Sequence, residues 1–166
     1  KGQPGALQLW IEGARPGWHP SEVEQPSDPA RWAMETDRML VFDALIGNKD
    51  RHEGNVLIDS DGKVWWIDHT RAFGRELDLP ADRIQRCERR IWEGLKALDP
   101  AVAAERLAPY MGPREVDALL ERRRLLLALV EKRIAERGEA AVLYVIEPGP
   151  RLYSVDPTKT KAPART

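Results

Sequence analysis

Between Trp32 and Ile46 the apolar residues Trp32, Met39, Phe42 and Ile46 recur at near-helical spacing, and Gly47-Asn48 then breaks the run. Ser27 or Asp28 can cap this helix. Pro29 suits its first turn, because the N–H that proline lacks would have no helical partner there. Farther on, Val56-Leu57-Ile58-Asp59 and Lys63-Val64-Trp65-Trp66-Ile67-Asp68 flank Ser60-Asp61-Gly62. Apolar, β-branched and aromatic runs around a turn containing Asp-Gly predict a hairpin. On the N-terminal side, Ala6-Leu7-Gln8-Leu9-Trp10-Ile11-Glu12 alternates loosely without Pro or Gly, which predicts a short strand. Residues 13–30 hold Pro16, Pro20, Pro26 and Pro29 with Gly13 and Gly17, the composition of a linker or long loop.

The remainder patterns as helix. One helix is predicted over residues 80–98, closing at Asp99-Pro100, a second over 100–108, and a long third from Pro113 to Arg137, stopped by Gly138. Val116, Leu119, Leu120, Leu127 and Val130 give the third its apolar face. Ala141-Val142-Leu143-Tyr144-Val145-Ile146 reads as another strand, and the Pro, Lys and Thr content beyond Pro148 as an extended or disordered tail. The expected class is therefore α+β, mostly helical with a short hairpin. Its parts are an N-terminal strand and Pro-rich linker over 1–30, a folded unit over 31–147, and a tail over 148–166.

Composition narrows the function classes. With 166 residues, 42% of them hydrophobic, the chain can form one domain and bury roughly 70% of its unfolded surface. A formal net charge of -1 gives no electrostatic reason to expect nucleic acid or an anionic membrane as partner. The arginines Arg122, Arg123 and Arg124, like Arg86, Arg89 and Arg90, fall on predicted helices with apolar opposite faces and read as solvated. No apolar run approaches the roughly 20 residues that span a bilayer. A single Cys87 cannot form an internal disulfide, which fits a reducing compartment and favours the cytoplasm. Lys1-Gly2-Gln3-Pro4-Gly5 has neither an initiator Met nor a signal-peptide pattern, as expected of a trimmed chain.

The chemistry-bearing residues concentrate in Asp50-Arg51-His52-Glu53-Gly54-Asn55 and Ile67-Asp68-His69, at the foot of the predicted helix and the open end of the hairpin. Phosphoryl transfer from ATP needs little covalent work from the protein: a base near the acceptor hydroxyl, and oxygen donors that hold metal ions against the phosphates. Two carboxylates and an amide suit magnesium. Taken alone, Asp50-Arg51-His52 reads as a polar loop after a helix, but the spacing to Asn55 and Asp68 points to a site. Asp59, Asp61 and Gly62 lack the further acidic ligands of a calcium loop and read as a turn. His19 stands in the Pro-rich stretch without a second ligand, His69 either lines the site or bonds to backbone, and Trp65 and Trp66 point to opposite faces of their strand.

Asp50, Asn55 five positions later and Asp68 thirteen after that, with the hairpin between, resemble the protein-kinase order of catalytic Asp, metal-binding Asn and metal-binding Asp. The run Asp50-Arg51-His52-x-x-Asn55 with Ile67-Asp68-His69 looks most like the atypical branches: phosphatidylinositol kinases, HipA-type bacterial kinases, secretory-pathway kinases and a group of uncharacterised bacterial kinase-like proteins. The resemblance implies a kinase-like C-terminal catalytic lobe that uses ATP and magnesium or manganese. Asp50 would orient or deprotonate the acceptor, His52 would steady negative charge on the phosphoryl group, and Asn55 and Asp68 would hold metal. Leu57 and Ile67 would floor the adenine. Leu9 to Glu12 would be the hinge strand, with Trp10 and Glu12 at the nucleotide. The hairpin would carry the metal site.

Departures from the family pattern are clear. Asn48-Lys49 replaces the usual His-Arg before the catalytic Asp, His69-Thr70 replaces Phe-Gly after the metal Asp, and no Ala-Pro-Glu follows. Nothing upstream of the expected hinge supplies a Gly-rich loop or a strand Lys with its Glu partner, so the N-terminal lobe is expected to be missing from these residues. Two functions stay open: an atypical kinase with a protein, lipid or small-molecule acceptor, inactive in this stretch alone, and a silent pseudokinase-type module that binds nucleotide or a partner. A metal-dependent hydrolase using Asp50, His52 and Asp68 is the weaker third, since these make a poor transition-metal cage.

Overall fold

The computed structural model describes residues 10, 11, 13–16, 28–59 and 62–147. Helix α1 covers Pro29–Ile46. Its N-cap is Asp28, whose carboxylate accepts the Arg31 N–H at 2.9 Å. Gly47, at φ 66°, ends it in the left-handed conformation that glycine adopts without a Cβ penalty. A 3-10 turn at Glu53–Asn55 then leads into strand β2, Val56–Ile58, which pairs antiparallel with β3, Val64–Trp66, in the register Val56↔Trp66, Leu57↔Trp65 and Ile58↔Val64. The predicted hairpin is present.

A third strand, β1 at Arg15–Pro16, pairs antiparallel with Ile58 and Leu57 on the other side of β2. Of the strand expected over 6–12, Trp10 and Ile11 are described and are in no strand. The chain turns at Gly13, φ 68°, where the Ala14 N–H donates to Ile11 O at 3.3 Å, and pairs at Arg15 and Pro16. Pro16 is tolerated because β1 is an edge. Glu12 and residues 6–9 lie outside the described residues, as does the predicted tail.

The helical part begins later than its pattern suggests. Residues 80–86 are not helical; Arg83 and Ile84 N–H groups close a single turn on Pro80 O. The next two residues are drawn into strand β4, Cys87–Glu88, which pairs in parallel with β5, Leu143–Tyr144. Glu88 then caps α2, Arg89–Ala97, by accepting the Ile91 N–H at 3.1 Å. The expected strand at 141–146 shrinks to β5, because Glu139–Val142 forms the short helix α5. Helices α3, Pro100–Leu107, and α4, Pro113–Arg137, keep their predicted bounds to within a residue.

One core joins these pieces. Val41 and Ala44 of α1, Trp92 and Leu95 of α2, and Leu126 and Val130 of α4 pack around Ile84, Cys87, Val142 and Leu143. Fully buried aliphatic side chains such as Val41, Leu126 and Val130 each contribute roughly 1.5–3 kcal/mol. Arg122 is a second correction: this α4 side chain is not solvated but 1% exposed. Its Nε donates to Leu45 O at 2.9 Å and its Nη1 to Gly74 O and Glu76 O at 2.8 Å each, so it ties α4 to the end of α1 and to the chain beyond the hairpin. Arg86 is likewise off any helix, with its guanidinium 4.6 Å from the Tyr144 ring centroid.

Among the described residues no helix is long and apolar enough to cross a membrane.

Candidate active site

The site is built on Asp43, a carboxylate in the last turn of α1 that is 5% exposed among the apolar residues Val41, Phe42, Ala44 and Ile46. A buried carboxylate must be paired and hydrogen-bonded. Asp43 Oδ1 accepts from Asn48 Nδ2 at 2.9 Å and Arg51 Nη2 at 2.8 Å, and Oδ2 accepts from Arg51 Nε at 2.8 Å. Arg51 uses its remaining donors elsewhere: Nη1 reaches Asn55 O at 2.7 Å and Ile67 O at 2.8 Å, and Nη2 lies 3.0 Å from His69 Nε2. A guanidinium has five N–H groups, and all five are engaged. His69 thus accepts through Nε2 and carries its ring proton on Nδ1. Burial, with Arg51 adding to it, pushes the His69 pKa below the usual imidazole value.

This fork joins the loop of Asp50 to both ends of the hairpin. Asn48 Oδ1 accepts the Asp50 N–H at 3.2 Å, so Asp43 steadies Asp50 through one intervening amide. The Asp50 carboxylate is half exposed, with Arg71 Nε at 3.6 Å. Asn55 is 5% exposed; its Nδ2 donates to Asp50 O at 3.1 Å and lies 3.0 Å from His52 Nε2. Asp50 O takes one amide hydrogen and His52 Nε2 faces the other, which leaves Oδ1 as the oxygen with which Asn55 can meet a cation. His52 Nδ1 also lies 3.2 Å from the Gly54 N–H. A neutral imidazole has one acceptor nitrogen, so His52 satisfies Gly54 or Asn55 at a given moment, not both.

Asp68 stands two residues past β3 at φ 54°, a left-handed conformation that aspartate tolerates at turns and that recurs at functional sites. Its Oδ1 accepts from Thr70 Oγ1 at 2.6 Å and from Thr70 N at 3.3 Å. Those bonds, chiefly the hydroxyl, hold the exposed carboxyl below its usual range, and His52 and His69 add to the effect. Thr70 therefore orients Asp68, and His52 is near enough to it to be felt. Asp50, His52 and Asn55 are brought into hydrogen-bonded contact, and Asp68 adjoins them across the Arg51 bond to Ile67 O.

The residues expected around adenine divide. Leu57 is opposite Trp65, and by strand alternation Ile67 shares their face, while Val56, Ile58 and Trp66 take the other. Trp66 packs on Phe42 at 5.3 Å and beneath Arg38 at 5.3 Å, against α1. Trp65 gives its Nε1–H to Asp59 at 2.7 Å, which supports the turn reading of Asp59. Trp10 is 86% exposed. Glu12, like Asp61, lies outside the described residues.

Asp43, Arg51 and Thr70 were not assigned roles from sequence. An acid within the apolar run Val41 to Ile46 was the signal for Asp43, and an arginine beside Asp50 its natural partner. Among the described residues no three His, Cys, Asp or Glu side chains converge as a metal cage. A carboxylate and an amide oxygen suit a hard cation that keeps water and phosphate as its other ligands.

Residues 19–88, reaching to the end of β4, match the family profile of Phosphatidylinositol 3- and 4-kinase. The chain is also similar to "Pseudokinase FAM20A" of Mus musculus, with 31% identity over 124 residues that make up 63% of this chain and 23% of that protein. The chain thus spans about a quarter of that relative. Both similarities support a kinase-like superfamily of the atypical kind, and the mixed, mostly helical architecture agrees with it.

Proposed function

We propose that these residues form the catalytic lobe of an ATP- and magnesium-dependent phosphotransferase that acts on a hydroxyl group. One observation supports this most: the five-bond fork of Arg51 fixes the backbone at Asn55 and Ile67, and Asp43 fixes Asp50, so that two carboxylates and an amide share one rigid frame. Rigid placement is what this reaction asks of a protein. Magnesium, when bound, would neutralise charge on the phosphate oxygens; Asn55 through Oδ1 and Asp68 through its carboxylate would hold it. Asp50 orients the acceptor hydroxyl and takes its proton. His52, held at Asn55 and close enough to Asp68 to be felt by it, would steady negative charge on the phosphoryl oxygens. Leu57 and Ile67 offer the apolar face for the base.

A catalytically silent nucleotide-binding or interaction module is the second reading, favoured by the similarity to a protein named a pseudokinase. The two separate in the complete reading frame that contains these residues. Transfer of the γ-phosphate of ATP to itself or to generic protein is followed with magnesium and then manganese. Asp50→Ala is expected to lower transfer by about 10²- to 10⁴-fold, the usual worth of a positioned base, with nucleotide affinity kept. Undiminished transfer in Asp50→Ala would sink the catalytic assignment, and magnesium-dependent binding without transfer would support the silent module.

A further inference from the structure

A groove of about 850 Å³ opens between α1, the loop of residues 47–54 and the segment 76–83, and no residue of β2 or β3 lines it. It meets the site at His52, Glu53 and Gly54. Its apolar lining comes from Met39, Leu40 and Ala44 on one side and Leu79 and Pro80 on the other. Resting on the phosphotransferase reading, a groove lined by Lys49 and Arg51, the two neighbours of Asp50, and by neither Leu57 nor Ile67 is where an acceptor can bring a hydroxyl to Asp50.

The charges lining this groove restrict the acceptor. Asp43 is neutralised by Arg51 at 2.8 Å, and Asp78 is met by Lys49 at 3.0 Å. Glu76 faces the field of buried Arg122, whose pKa it raises in opposition to burial. Glu53 is different. It is exposed, three positions after Asp50 at the start of the 3-10 turn, and forms no ion pair among the described residues. Among the described residues, Arg83 is the one lining cation beyond those of the two pairs. A phosphorylated head group calls for a cluster of cationic forks, which these described lining residues do not offer.

We propose that the groove takes a polypeptide segment bearing the acceptor hydroxyl, with a basic residue close to that hydroxyl met by Glu53 and an apolar side chain between Leu40 and Leu79. In the transfer the hydroxyl oxygen forms a bond to the γ-phosphorus as its bond to the bridging oxygen breaks. ADP leaves with that electron pair, and the hydroxyl proton passes to Asp50.

The test uses the complete reading frame and two fluorescent peptides that share a Ser and a Leu, one with Arg and one with Glu beside the Ser. Anisotropy is expected to show the Arg peptide binding about tenfold more tightly, a difference that Glu53→Gln removes and Glu53→Lys reverses. γ-Phosphate is expected on the Arg peptide and not on phosphatidylinositol vesicles. Equal binding of the two peptides, a Glu53→Lys protein that still prefers Arg, or label entering the lipid would each overturn the proposal. Failure to bind magnesium-ATP would instead overturn the phosphotransferase reading, and the anisotropy result would still decide what the groove recognises.

Discussion

Arg51 and Asp43 have side chains only 10% and 7% exposed, and their pairing is the point at which chemistry and stability meet. Removing one partner of a buried ion pair leaves an uncompensated charge, at a cost of about 3–5 kcal/mol. Arg51→Met is therefore expected to lower unfolding free energy in urea by that amount, and Arg51→Lys to recover only part of it, since an ammonium cannot reach Asp43, Asn55 O and Ile67 O together. Unchanged stability in Arg51→Met would show that the fork is not what holds the loop to the hairpin. Spacing along the chain marked Asp50, Asn55 and Asp68 as candidates, because each follows a predictable element at a short, fixed distance. It could not show that Arg51 faces inward, that Arg122 is buried while Arg124 is exposed, or that Thr70 bonds to Asp68, since these depend on packing between segments far apart in sequence.

Helix α1 delivers the chain to the site, and its last turn is closed from several directions. Gly47 and Asn48 N–H groups donate to Asp43 O, Phe73 N–H to Ile46 O, and Arg122 Nε to Leu45 O. A Cβ on Gly47 would come 2.9 Å from Arg122 Cζ, whereas one on Gly138, at φ 84°, would meet nothing within 4 Å. Gly47→Ala should then cost about 1–2 kcal/mol of left-handed backbone strain and at least about 1 kcal/mol more, because Arg122 must shift from its carbonyls. Thermal unfolding of the variant tests this, and an unchanged transition would contradict it. Local signals marked α1, α3 and α4 well: Asp28, Asp99, Gly47 and Gly138 act within a turn of their own residues. Residues 80–88 misled because their apolar pattern fits a helix, while pairing of Cys87 with Leu143 is a long-range event no local pattern carries. At the N-terminal side, the turn at Gly13 takes the chain into pairing at Arg15 and Pro16, which the alternation before it did not mark.

At the scale of the whole molecule, the β4–β5 pair places two acidic groups inside the core. Burial pushes the Cys87 thiol up to about 12, and burial likewise raises Tyr144, whose hydroxyl donates to Met34 O at 2.6 Å. Both are raised acids, so the folded state keeps protons that the unfolded chain releases. The Cys87 contribution is full below the ordinary thiol value of 9.0 and is lost as pH climbs toward about 12, while that of Tyr144 begins to be lost only above the ordinary phenol value of 10.0. Stability should fall on the order of 2 kcal/mol between about pH 9 and about pH 10.5 through Cys87, and Cys87→Ala should flatten that slope. Cys87 should also resist iodoacetamide at neutral pH until urea unfolds the chain. If Asn55 and Asp68 hold a metal–nucleotide complex, as proposed, calorimetric titration of ATP into the complete protein, with and without magnesium, should show magnesium-dependent binding. Asp68→Ala is expected to weaken that binding at least about tenfold, and Asp59→Asn, a change in the hairpin turn, to leave it intact. Binding that ignores magnesium, or that survives Asp68→Ala undiminished, would contradict the proposal.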